Sequence, residues 1–71
     1  MEPNDKSRFL VVMQYLNLNF PERQVDGNLV QSYFNDLSDH GIENVEKAAK
    51  AYVKIGVRFP YVSDLLHFLF T

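Results

Sequence analysis

The chain has no cysteine and no tryptophan, and its 71 residues include only three glycines and three prolines. Without cysteine there is neither a disulfide framework nor a thiolate metal site, so a small secreted fold stapled by bridges is excluded and packing alone must hold the domain. That absence agrees with a reducing compartment, and the expected location is cytoplasmic. Three scattered glycines cannot build a phosphate-cradling loop. Long apolar runs are missing as well. The longest uncharged stretch near the amino end, residues 9–21, is broken by Gln14, Asn17 and Asn19 and falls short of the ~20 apolar residues that a spanning helix needs. Glu2 and Asp5 stand where a secretory signal carries positive charge, so no signal peptide is expected. Positive charge is in the minority overall. Seven Lys and Arg against nine Asp and Glu leave a net charge of −2, which argues against a nucleic-acid backbone as the main partner.

What is present is apolar and periodic. Apolar residues make up 46% of the chain, enough to place it among globular rather than disordered sequences. At this length a folded chain buries only roughly 60% of the surface its unfolded form exposes, so a single small domain over residues 1–71 with a dense or shared core is expected. Four helical patterns follow one another, at about 5–18, 28–39, 43–55 and 61–70. In the first, Phe9, Val12, Met13 and Leu16 share a face, Asn4 or Asp5 caps the start, and Phe20-Pro21 ends the run. Leu10, Val11 and Tyr15 widen its apolar surface, which implies cover on more than one side. The second begins after Asp26-Gly27-Asn28 and carries Val30, Tyr33, Phe34 and Leu37 on one face. Gly41 is expected to end it in a left-handed cap, so that valine there would destabilise the domain.

The third pattern is the most amphipathic, with Val45, Ala48, Ala49, Tyr52 and Val53 opposite Glu46, Lys47, Lys50 and Lys54. Its two alanines allow a neighbour to approach closely, Glu46 and Lys50 form a favourable i,i+4 pair, and Gly56 marks its end. The fourth opens at Pro60 to Ser63, with Pro60 suited to a first-turn position. It is apolar almost all round through Leu65, Leu66, Phe68, Leu69 and Phe70. So much apolar surface on a short helix calls for cover, either by further chain or by another molecule. No strand alternation competes, and the fold class is an all-α, compact bundle of four helices.

Chemistry-bearing clusters are sparse. His40 and His67 lie outside any metal-ligand spacing, although His67 follows Asp64 by three residues, and no metal or cofactor is expected. The carboxylates suit caps better than paired acid and base, and no serine sits in a nucleophile elbow, so no catalytic residue is proposed and the chain is expected not to be an enzyme. A helix-turn-helix reading would use the second and third helices, with Lys47, Lys50, Lys54 and Arg58 against phosphates. Glu43 and Glu46 would then meet the same phosphates at the start of the third helix. Tyr61, Leu66, Phe68, Leu69 and Phe70 have no evident internal stripe to join, and they are the candidates for a partner surface or for a homodimer closed across a two-fold axis.

The order of features resembles a known family at this point. Tyr33-Phe34-x-x-Leu37, then Gly41-Ile42, then Val45 with Ala48-Ala49 and Tyr52, and finally Phe59-Pro60 before Asp64-Leu65 is similar to the small helical amino-terminal domain of phage replicative helicase loaders, of the loader/inhibitor and lambdoid replication protein types. The resemblance covers about residues 29–65. It implies a non-enzymatic cytosolic module of phage or bacterial DNA replication whose partner is the hexameric replicative helicase.

Overall fold

The computed structural model describes residues 1–70. A single 3-10 turn, Pro3–Asp5, leads into α1 (Lys6–Asn19), followed by α2 (Gly27–Asp36), α3 (Ile42–Ile55) and α4 (Val62–Leu69), and no strand occurs among the described residues. The fold is all-α, a four-helix bundle. Three helices match their expected bounds within one residue at each end, but α2 stops three residues earlier than its pattern suggested. There the chain tightens into i→i+3 bonds, with the Ser38 amide on the Asn35 carbonyl at 3.3 Å and the His40 amide on the Leu37 carbonyl at 3.0 Å. The Ser38 hydroxyl also donates to the Asn35 carbonyl, at 2.9 Å, which offers that group an alternative to a further helical turn. At the start of α2, the Asp26 carboxylate accepts from the Leu29 amide at 2.8 Å, as a capping acid should.

Pairwise contacts fix the arrangement. Phe9 meets Phe34 edge-on at 5.5 Å near the start of α1 and the end of α2, so these helices run antiparallel. Arg8 pairs with Glu46 at 2.8 Å, and Phe20 meets Tyr52 at 5.8 Å, so α1 and α3 run parallel. His40, just before α3, lies against Phe70, just after α4, which sets α4 antiparallel on the other side of α3. The core fills the space between them. Phe9, Met13, Leu16, Leu37 and Val45 have no solvent exposure, and Leu65 and Ala49 have almost none. The Cα envelope measures only 29 × 28 × 16 Å, so every helix keeps one face toward solvent.

The connection between α3 and α4 is held residue by residue. The Tyr52 hydroxyl donates to the Arg58 carbonyl at 2.8 Å, the Phe59 amide donates to a Glu22 carboxylate oxygen at 2.6 Å, and the buried Tyr33 hydroxyl donates to the Pro60 carbonyl at 2.7 Å. Burial, more than any nearby charge, lifts both the Tyr33 and Tyr52 phenols above the ordinary tyrosine value. These bonds come from α2, α3 and the α1–α2 connection, and so they tie three segments to one short loop.

Three expectations change, at Gly41, Glu46 and Pro60, and Gly56 holds its expected place for a different physical reason. Gly41 has φ −72° and ψ 145°, an extended conformation open to any residue, and it serves as the N-cap of α3 rather than as a left-handed stop. A Cβ there would meet only the Asn44 side-chain nitrogen, at 3.9 Å, so the ground for expecting valine to destabilise is gone. Gly56 does end α3, as its C-cap, but with ordinary backbone angles, φ −73° and ψ 149°. It is glycine for a different reason, because the Tyr52 ring folds over it and a Cβ would overlap three ring carbons. Glu46 pairs across the fold with Arg8 instead of along α3 with Lys50, since the packing of α1 on α3 brings the guanidinium within bidentate reach. Pro60 lies two residues ahead of α4 and is fully buried, with Tyr61 as the N-cap.

Candidate functional site

The five partner candidates divide among three places on α4. At its start, the Tyr61 amide donates to an Asp64 carboxylate oxygen at 2.9 Å, and the same oxygen takes a hydrogen bond from Arg58 at 3.1 Å. The Arg58 guanidinium also stacks on the Tyr61 ring at 4.9 Å. Arg58 is thereby engaged in fixing the N-terminus of α4, and Tyr61 stays 57% exposed as the outer surface of that unit.

Along the helix, Leu65 is buried, while Val62, Leu66, Phe68 and Leu69 are half-buried against the core. The fold therefore absorbs more of α4 than its composition suggested. The reason is the pairing with α3. Ala48 and Ala51 present so little side chain that α4 settles close, with Phe68 edge-on to Tyr52 at 6.2 Å. The same small residues leave an open groove of about 360 Å³ between the helices, lined by Asn44, Lys47, Ala48, Ala51, Phe68 and Leu69. At its far end Phe70 is 75% exposed, its ring edge-on to His40 at 5.2 Å.

The groove has an apolar floor of alanine, walls of phenylalanine and leucine, and a cationic rim at Lys47. Such a cleft accepts one or two apolar side chains from a partner and orients an acidic neighbour of theirs. Ala51 escaped the sequence reading, although its position three residues after Ala48 places both on one helical face. The lysines share the exposed outer face of α3, with Lys47 at its edge toward α4 and Lys50 at its edge toward α1. Among the described residues no group of three or more His, Asp or Glu is placed to hold a metal ion, and His67 packs beside Phe68 at 5.7 Å. No described helix is long and apolar enough to cross a membrane. The chain matches no family model, no curated protein and no solved structure.

Proposed function

We propose that this domain is a non-enzymatic protein-binding module that acts as an adaptor, with the replicative helicase of phage or bacterial DNA replication as its partner in the cytoplasm. The observation that carries the binding role is the groove between α3 and α4, with Phe68 and Leu69 on its wall and the exposed Phe70 at its end. Apolar side chains around a shallow cleft with a charged rim are the usual anatomy of a docking site. The choice of helicase rests on the resemblance of residues 29–65 to helicase loaders.

The test is retention of the helicase from a lysate of the source cell by the immobilised domain, with a Lys47→Glu/Phe70→Asp variant in parallel. Both substitutions lie at exposed positions and leave the core intact. Helicase in the wild-type fraction and not in the variant fraction supports the reading, and its absence from both overturns it. The exposure of Phe70 favours a second reading, a homodimer closed through α4, in which Phe70→Asp lowers the mass in sedimentation equilibrium. A DNA-binding role draws less support. Arg58 is engaged by Asp64 and Tyr61, and α3 is flanked by α1 and α4, which leaves only its narrow lysine face for a groove of DNA.

A further inference from the structure

We infer that the opposite side of α3, where it runs parallel to α1, is a second docking surface, and that its ligand is an acidic amphipathic helix of another protein. Val11, Tyr15 and Leu18 follow one another at i, i+4 and i+7 on the side of α1 away from the core. Val11 is 62% and Leu18 80% exposed, and Tyr15 is half-buried. This stripe is about 10 Å long at 1.5 Å per residue, the length of two helical turns. Beside it an open groove of about 250 Å³ has Val12 and Ala49 in its floor and Val11, Tyr15, Glu46 and Lys50 along its sides.

Charge decides what would fit there. Glu46, the acidic residue of this groove, is neutralised by Arg8 at 2.8 Å. Lys50 and Lys54 lie four residues apart on the outer face of α3, with Lys47 one turn earlier, and none of the three has an ion pair among the described residues. An apolar stripe with a one-sided cationic border is complementary to a helix that carries carboxylates beside its own apolar stripe. A second copy of this chain is a poor occupant, because a two-fold axis through the α1 stripe would bring the lysine rows of both copies together. The concave floor at Ala49 suits a convex helix better than a flat bilayer. A base-stacking role would have a single half-buried ring, Tyr15, and no second aromatic along the groove for a successive base.

The probe is a synthetic 14-residue helix with leucine at i, i+3, i+4 and i+7 and glutamate at the flanking positions, alongside its lysine-for-glutamate counterpart. Amide chemical shifts of the whole chain report the contact site. The acidic peptide should shift resonances of residues 11–18 and 46–54, and Lys50→Glu with Lys54→Glu should weaken its binding by about tenfold or more. Leu18→Ser should weaken it too while the far-ultraviolet circular dichroism stays unchanged. The inference is overturned if the acidic peptide gives no shifts at millimolar concentration, or equal shifts to its cationic counterpart. Shifts confined to the α3–α4 groove, or Leu18-dependent capture by phosphatidylserine vesicles in place of the peptide, overturn it as well. Loss of the helicase interaction proposed above leaves these readouts untouched, so the two readings fail separately.

Discussion

Replacing Gly56 with alanine should destabilise the domain by about 1–3 kcal/mol, although the backbone at this position is one in which alanine is entirely comfortable. On backbone grounds alone, glycine to alanine at an unstrained site stabilises by about 0.4–1 kcal/mol through the unfolded chain. The Tyr52 ring reverses that sign. A Cβ on Gly56 would lie within 2.8 Å of ring carbons Cδ2, Cε2 and Cζ, closer than side chains approach one another. The ring has little freedom to withdraw. It is only 6% exposed, its hydroxyl bonds the Arg58 carbonyl, and Phe20 and Phe68 hold it edge-on at 5.8 and 6.2 Å. Moving it gives up a hydrogen bond of about 0.5–1.5 kcal/mol and one or two aromatic contacts of about 0.5–1.5 kcal/mol each. Urea denaturation followed at 222 nm measures the difference, and the same substitution in a Tyr52→Leu background should cost under about 0.5 kcal/mol, because the obstructing ring is gone. An unchanged or higher midpoint for the single variant would refute the steric account.

Two further outcomes follow from the same contacts. Gly27 sits in the first turn of α2, and a Cβ added there would have nothing within 4 Å, so Gly27→Ala should raise stability by about 0.4–1 kcal/mol in the same denaturation assay. The raised phenol of Tyr33 makes stability depend on pH at the alkaline end: the folded state holds this proton more tightly, so the contribution is complete below the unfolded value near 10 and is lost as pH rises through the folded value. Tyr33→Phe should therefore lose about 1 kcal/mol at neutral pH, with its bond to the Pro60 carbonyl, yet decline less steeply than wild type above pH 10 in denaturation midpoints.

The helices and their inward faces could be read from spacing and punctuation. Phe9, Val12, Met13 and Leu16 on α1, and Val45, Ala48, Ala49 and Tyr52 on α3, are buried as their period requires, because a local repeat already says which side chains point together. The start of α2 was legible to within one residue from the Asp26-Gly27-Asn28 cluster, and its cap at Asp26 is a local bond to Leu29, three residues on. Gly41 was misread as a left-handed stop, since its angles are those of an ordinary N-cap, whereas Gly56 ends α3 as expected and only the Tyr52 ring explains why it is glycine.

The candidate sites depended on contacts far apart in the chain. Surplus apolar residues on α4 were evident from order alone, whereas the share that α3 covers was not, since it follows from Ala48 and Ala51 letting α4 approach. Likewise Glu46 chose Arg8, 38 positions away, over Lys50 one turn along the same helix. Local sequence thus settled what each helix is and which face it turns inward, because those preferences act within a few residues. Tertiary packing settled which outer faces meet and where grooves stay open, because parallel α1–α3 and antiparallel α3–α4 pairings are properties of the assembled bundle and of no single segment.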